Sequence, residues 1–133
     1  MSRGSTTRKF SGTATGNDLA FLARHECAIV LLTEPAAGSE YALHAGRTIL
    51  GRGPDADLVF EDDHLSRQHA AFELTSEGFQ VLDLGSTNGI LVNDQPVDAV
   101  LLQHGDRIVL GQLTFQYVVQ ERPDQNEFDL SDS

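Results

Sequence analysis

Three short loops carry the side chains that could do chemistry in this sequence. They are Gly51-Arg52-Gly53-Pro54, Leu65-Ser66-Arg67-Gln68-His69 and Gly85-Ser86-Thr87-Asn88-Gly89. The planar guanidinium of Arg52 matches the geometry of a phosphate group. Ser66 adds a hydroxyl donor, and Arg67 adds a second guanidinium or a backbone N–H. The hydroxyl of Thr87 and the amide of Asn88 are suited to holding a peptide backbone. Together the loops predict a pocket for a phosphorylated side chain.

Each loop also has a plainer interpretation when it is taken alone. The first is a tight turn with a solvated arginine, and Asn88-Gly89 in the third is a standard hairpin signal. Ser66 and His69 could form a nucleophile and base, but the segment lacks a G-x-S-x-G nucleophile elbow. A structural role for His69, in which a ring nitrogen binds loop backbone and holds Ser66 in place, is favoured. The sequence has no metal-ligand spacing and no paired acid and base carboxylates, so no metal, cofactor or enzyme activity is predicted.

The charge of the chain restricts what it can bind. The net charge is −11, which argues against nucleic acid and against an anionic membrane surface as partners. A bound anion must therefore be held by a local cationic site. Five carboxylates surround the predicted pocket in sequence: Asp55, Asp57, Glu61, Asp62 and Asp63. We expect them to oppose a phosphate at long range, so that neutralising Asp62 and Asp63 raises affinity.

The elements that must position these loops are short strands. The apolar segments are Ala28–Thr33, Tyr41–Leu43, Thr48–Leu50, Leu58–Phe60, Ala70–Leu74, Phe79–Leu84, Ile90–Val92, Pro96–Val97, Arg107–Leu110 and Leu113–Val119. Turn residues separate them, and Asn93-Asp94 tolerates the positive φ of a tight hairpin. Short strands with frequent turns and no helical periodicity predict an all-β sandwich or barrel. Its site is expected on loops at one end.

The 133 residues suit one domain between two tails. We predict a flexible Ser/Thr-rich tail over residues 1–24, the domain over residues 25–120 and an acidic tail over residues 121–133. Asn17 or Asp18 could also cap a short helix through Leu22. Cys27 is the single cysteine and is expected to be a small buried side chain. The sequence has no segment of about 20 apolar residues, so a cytoplasmic location is the default expectation.

Four segments in order resemble the forkhead-associated (FHA) domain family. They are Gly51-Arg52, Ser66-Arg67-Gln68-His69, Gly85 to Gly89, and Gly105-Asp106-Arg107-Ile108-Val109-Leu110-Gly111. The resemblance covers about Thr48 to Val119 and implies an eleven-stranded β-sandwich that binds phosphothreonine peptides in Ser/Thr-kinase signalling. It implies that the residues at Arg52 and Ser66 contact the phosphate and that the residue at Arg67 assists them.

The same resemblance implies roles for the residues around these contacts. Thr87 and Asn88 position the phosphate loop and hold the peptide backbone. Four residues are architectural: Gly51, His69, Gly85 and Gly89. Apart from the resemblance, the position of His64 two residues before Ser66 makes it a candidate for peptide specificity, and the alternative is a solvated loop histidine. The expected partner is a phosphothreonine-containing protein, including a Ser/Thr kinase or its substrate. The alternative is a scaffold or assembly protein that uses the same fold without phosphate.

Overall fold

The computed structural model describes residues 16–122, which form one helix and eleven strands. The elements are α1 (Gly16–Arg24), β1 (His25–Leu31), β2 (Glu40–Leu43), β3 (Arg47–Gly51), β4 (Leu58–Val59), β5 (Ala70–Thr75), β6 (Gly78–Asp83), β7 (Ile90–Val92), β8 (Gln95–Val97), β9 (Ala99–Leu101), β10 (Arg107–Leu110) and β11 (Leu113–Glu121). The strands form two sheets. One has six strands in the order β2-β1-β11-β10-β7-β8, and the other has five in the order β4-β3-β5-β6-β9. The prediction of an all-β sandwich with eleven strands is confirmed.

Side chains that alternate along each strand build the core between the two sheets. In β1, Cys27, Ile29 and Leu31 are buried while the residues between them are partly exposed. This is the period-2 pattern of a strand with one face on a core. The largest buried side chains are aromatic: Tyr117, Phe72, Phe79 and Phe115. Burial of each such side chain is worth roughly 1.5–3 kcal/mol, so these rings make a major contribution to the stability of the sandwich.

Cys27 is buried beside the hydroxyl group of Tyr117, one of these aromatic core residues. The Tyr117 hydroxyl donates to Cys27 Sγ at 3.5 Å and accepts the Phe79 N–H at 3.3 Å. Burial raises the pKa of Tyr117 and, as the largest of several effects, also that of Cys27. Both groups therefore stay protonated at neutral pH, as expected of a small buried cysteine.

The sequence patterns found ten strand segments but missed β9. Only Asp98 separates β8 from β9, yet the two strands lie in different sheets. The carbonyl of Asp98 accepts the Asp83 N–H at 2.8 Å, which ties the crossing point to the end of β6. Since the chain changes sheets within one residue, no turn signal marks the start of β9. The turn before β8 was predictable, because Asn93 and Asp94 adopt φ values of 51° and 69°.

Residues 16–24 form α1, so the flexible tail predicted over residues 1–24 is wrong in this part, whereas the short helix expected through Leu22 is present. Phe21 and Leu22 pack against the core, and Phe21 stacks on the His25 ring with centroids 4.3 Å apart. This packing stabilises a helix of nine residues that would be marginal alone. Of the predicted tails, residues 1–15 and 123–133 lie outside the described residues, and Glu121 belongs to β11 instead of to the acidic tail predicted over residues 121–133. Within the part of the chain that the structure covers, no helix is long and apolar enough to cross a membrane.

The two ends of the sandwich carry different elements. Helix α1 lies where β1 begins and β11 ends, because the Arg122 N–H donates to the Arg24 carbonyl at 2.8 Å. The turn between β5 and β6 is at this end too, with Phe21 beside Gly78. The loops that follow β3, β4 and β6 meet at the opposite end. The loops with the predicted site residues are therefore gathered at one end, away from α1.

Candidate functional site

The end of β3 carries Arg52 and lies directly against the loop between β4 and β5. A Cβ atom on Gly51 would collide with the Arg67 carbonyl oxygen, and one on Gly53 would lie 2.9 Å from Arg67 Cβ. Only glycine allows this approach of two backbones. The Arg52 N–H donates to the Ser66 carbonyl at 3.0 Å, and the Gly53 N–H donates to the Arg67 carbonyl at 3.0 Å. Two backbone hydrogen bonds thus hold Arg52 next to Ser66.

The Arg52 side chain is oriented by one hydrogen bond and is otherwise exposed. Its Nε donates to the Leu65 carbonyl at 3.1 Å, which fixes the direction of the guanidinium. Neither Arg52 nor Arg67 forms an ion pair with any residue between 16 and 122. In a chain with a net charge of −11, Arg52 and Arg67 are thus exposed cationic groups without ion-pair partners in the described region, although Arg52 shares a cavity with Glu34, Glu61, Asp62 and Asp63.

Ser66 links the second loop to the third through its hydroxyl. Its Oγ accepts the Thr87 N–H at 3.0 Å. The oxygen is therefore used as an acceptor within the protein, and the hydroxyl hydrogen remains available to a ligand. An anion that reaches the Ser66 hydroxyl could accept this hydrogen.

His69 holds the loop backbone rather than the Ser66 hydroxyl. This fully buried imidazole accepts the Ser66 N–H on Nδ1 at 3.0 Å, and its Nε2 lies 2.8 Å from the Gly89 carbonyl oxygen. The neutral tautomer with hydrogen on Nε2 satisfies both contacts. Neither nitrogen is then left to remove a proton from Ser66 Oγ, so the geometry does not support a nucleophile and base pair.

The third loop connects the two sheets and is not a hairpin, because β6 and β7 belong to different sheets. Gly85 and Gly89 adopt φ values of +76° and +79°, which favour glycine. Ser86 supports the loop, because its N–H donates to Asp83 Oδ1 at 3.0 Å and its Oγ accepts the Gly89 N–H at 2.9 Å. The Asn88 amide donates from Nδ2 to the His64 carbonyl at 2.7 Å. Asn88 therefore also ties the third loop to the second.

Asp62 departs from the expectation that the neighbouring carboxylates only repel a phosphate. It is 8% exposed, and its two oxygens accept the N–H groups of His64 at 3.0 Å and Gln112 at 2.8 Å. Burial alone would raise the pKa of Asp62, but these hydrogen bonds and the His64 imidazole at 3.5 Å lower it below its ordinary value. Asp62 is therefore an ionised structural group, whereas Glu61 and Asp63 are exposed.

The structure thus brings the predicted residues together on three touching loops. Arg52 and Asn88 donate to successive carbonyls of the second loop, and Ser66 accepts from Thr87. The exposed His64 side chain lines a cavity that also contains Arg52, Asp63 and Gln112. Among the described residues, no group of His, Cys, Asp and Glu could hold a metal ion. The arrangement is suited to binding an anion on an extended chain.

Comparisons with known proteins place the chain in a family. The family described as the inner membrane component of the type III secretion system, cytoplasmic domain, matches residues 30–121. The glycogen accumulation regulator GarA of Mycobacterium tuberculosis is 41% identical over 103 residues, which are 77% of this chain and 62% of GarA. The oxoglutarate dehydrogenase inhibitor of Corynebacterium glutamicum is 36% identical over 90 residues, which are 68% of this chain and 63% of that protein. The chain thus spans less than two thirds of the length of either relative.

Similar solved structures are FHA domains. An FHA domain from a structural and functional analysis of phosphothreonine-dependent FHA domain interactions is similar, with a TM-score of 0.64 and 33% identity. The match covers 74% of this chain and 99% of that domain. The eleven-stranded sandwich, the order of the loop segments and these relatives agree. The chain belongs to the forkhead-associated domain family.

Proposed function

We propose that this FHA domain is a non-catalytic interaction module that binds phosphothreonine in partner proteins. Arg52 and Ser66 contact the phosphate, and Arg67 assists them. Thr87 and Asn88 position the phosphate loop and hold the peptide backbone. The observation that supports the proposal is the direct bonding of the three loops, in which the Arg52 backbone and side chain donate to the carbonyls of Ser66 and Leu65 and the Ser66 hydroxyl accepts from Thr87.

The chemistry of phosphothreonine fits this site. Its phosphate carries about −1.5 to −2 charge at pH 7 and three strong acceptor oxygens. Hydrogen bonds between charged groups contribute roughly 1.5–3 kcal/mol each. A small number of such bonds, set against the cost of association, corresponds to roughly micromolar affinity. The loops are already bonded to one another, so little ordering cost remains to be met on binding.

The relatives suggest the kind of partner. GarA is a regulator of glycogen accumulation, and the corynebacterial relative inhibits oxoglutarate dehydrogenase. We propose by likeness that this protein regulates a partner in Ser/Thr-kinase signalling, where the partner is a kinase or its substrate. The match covers 62–63% of the length of these two relatives. The role of the whole protein is therefore proposed by likeness to them.

A titration of phosphothreonine peptides tests the proposal. A degenerate fluorescent library with phosphothreonine at its centre is compared with phosphoserine and unphosphorylated libraries by fluorescence polarisation. Wild type is expected to need the phosphate and to prefer threonine. Arg52→Ala is expected to weaken binding at least about tenfold, because a charge-assisted hydrogen bond is lost. The matched control is Arg107→Ala, which removes the same charge from an exposed position on β10.

Three results decide the outcome. Phosphate-dependent binding that is lost in Arg52→Ala and kept in Arg107→Ala supports the module. Equal losses in the two variants would mean that only net charge matters, and the assigned site would be wrong. A folded wild type without any phosphate-dependent binding would refute the proposal.

The second candidate function is a phosphate-independent assembly protein. One observation favours it, namely that the family matching residues 30–121 is described as a cytoplasmic domain of a secretion-system component. An assembly role does not require the set Arg52, Ser66, Arg67, Thr87 and Asn88. Binding of an unmodified partner that is equally tight in Arg52→Ala would favour this function.

A further inference from the structure

Asp62 is a buried carboxylate at the edge of the proposed phosphothreonine site. It is 8% exposed and lies between two exposed acidic residues, Glu61 and Asp63. Oδ1 accepts the His64 N–H at 3.0 Å, and Oδ2 accepts the Gln112 N–H at 2.8 Å. The carboxylate therefore joins the second loop to the turn between β10 and β11. An amide in its place could accept with only one of its two terminal atoms.

The turn that Asp62 forms presents two carbonyls to the other loops. The Asp62 side chain binds the N–H two residues ahead, and its own carbonyl accepts the Leu65 N–H at 2.9 Å. This local pattern is typical of an Asx turn. The carbonyls of the two consecutive residues His64 and Leu65 then each accept a hydrogen bond from another loop. The His64 carbonyl accepts from Asn88 Nδ2 at 2.7 Å, and the Leu65 carbonyl accepts from Arg52 Nε at 3.1 Å.

The neighbouring hairpin fixes the carboxylate from the other side. A Cβ atom on Gly111 would lie 2.7 Å from Asp62 Oδ2 and 3.2 Å from the His64 carbonyl carbon. The turn at Gly111 and Gln112 is therefore packed closely on Asp62 and His64. A carboxylate held from both sides leaves its loop little freedom to shift.

From these contacts we propose that Asp62 is a positioning residue for phosphopeptide binding. By holding the His64–Leu65 backbone, it sets the directions of Arg52 and Asn88, which lie on two other loops. This role requires no contact between Asp62 and the ligand. The inference rests on the proposed function of the site and adds a residue that acts through the protein backbone.

The test compares two substitutions that make the same change in charge. Simple electrostatics predicts that Asp62→Asn and Asp63→Asn both bind phosphothreonine peptide more tightly, because each removes a negative charge. The positioning role instead predicts that the two substitutions change the affinity for phosphothreonine peptide in opposite directions. Asp62→Asn is expected to weaken binding about tenfold, because one N–H loses its acceptor and the carbonyls shift. Asp63→Asn is expected to bind as tightly as wild type or more tightly.

A double-mutant cycle separates positioning from a general loss of stability. Asn88→Ala removes one of the two side chains that Asp62 orients, so Asp62→Asn should cost less in that background than in wild type. The ¹⁵N-¹H resonances of the Asn88 side-chain amide and of Arg52 Nε should move in Asp62→Asn without ligand. Additive losses, or resonances that stay in place, would overturn the proposal.

A second variant covers the case in which Asp62→Asn does not fold. Gly111→Ala strains a backbone with a φ of +59° and also pushes on Asp62 Oδ2, so it is expected to weaken binding of the same peptide and move the same two resonances. Gly105→Ala, which has backbone strain but no neighbour within 4 Å, should do neither. If Asp62→Asn bound phosphopeptide as tightly as wild type, only the positioning role would be refuted. A folded wild type that does not bind phosphopeptide would refute the proposed function, and the binding role of Asp62 with it.

Discussion

Replacing Gly51 by alanine should separate the two loops that hold Arg52 and Ser66. The new Cβ would collide with the Arg67 carbonyl oxygen, so the segment around residue 67 must move away. Three backbone hydrogen bonds cross this contact: Arg52 N to Ser66 O at 3.0 Å, Gly53 N to Arg67 O at 3.0 Å and His69 N to Leu50 O at 2.9 Å. At about 0.5–1.5 kcal/mol each, their loss lowers the free energy of unfolding by about 1.5–4.5 kcal/mol.

Urea unfolding followed by circular dichroism measures this loss, and phosphopeptide titration under folding conditions measures its effect on the site. The matched control is Gly105→Ala. Gly105 has a φ of +92°, and a Cβ atom added there would have no neighbour within 4 Å, so the change costs only backbone strain of about 1–2 kcal/mol. Gly105→Ala should keep full peptide affinity. If the free energy of unfolding of Gly51→Ala were within about 0.5 kcal/mol of the wild-type value and the variant bound peptide normally, the close packing of the two loops would be wrong.

Two further predictions concern the far end of the sandwich and pH. Arg122→Ala removes hydrogen bonds to the Leu22 carbonyl at 2.7 Å and to Glu26 at 3.1 Å, so α1 amides should exchange faster in hydrogen-exchange mass spectrometry. Phosphopeptide affinity should not change, and a loss would contradict the separation of the two ends. Because the pKa of Asp62 is lowered, its ionised form stabilises the fold above about pH 4, and this contribution disappears as the pH falls through the folded-state pKa. The difference in urea midpoint between wild type and Asp62→Asn should therefore shrink in acid, and a constant difference would refute this role.

The loops of the site were predictable because their residue types are distinctive. Glycines at Gly51, Gly85 and Gly89 mark close approaches or positive φ, and the hydroxyl and guanidinium groups beside them indicate a phosphate ligand. Strands with alternating burial were also predictable, because the pattern of apolar residues that marks them is local. The prediction that these residues bind phosphothreonine remains to be tested by titration.

Other features depend on contacts that the sequence does not display. Asp62 is one of 20 acidic residues, and its burial and its hydrogen bonds with the N–H groups of His64 and Gln112 distinguish it from the exposed Asp63. The sequence places Ser66 near His69, but the fold decides that the ring meets the backbone N–H instead of the hydroxyl. A cap at Asn17 or Asp18 allowed a short helix, but the packing of Phe21 and Leu22 on the core, which stabilises α1, is not visible in the local sequence.

The pairing of β1 with β11 makes the domain suitable for insertion into another protein. His25 lies opposite Glu121, and the Arg122 N–H donates to the Arg24 carbonyl, so the chain enters and leaves at adjacent points. Helix α1 has nine residues and is about 13 Å long. A linker of roughly five residues could therefore join residue 122 to residue 16. Such a circular permutant, reopened at the exposed Ser76-Glu77 turn, would leave every loop of the binding end uncut.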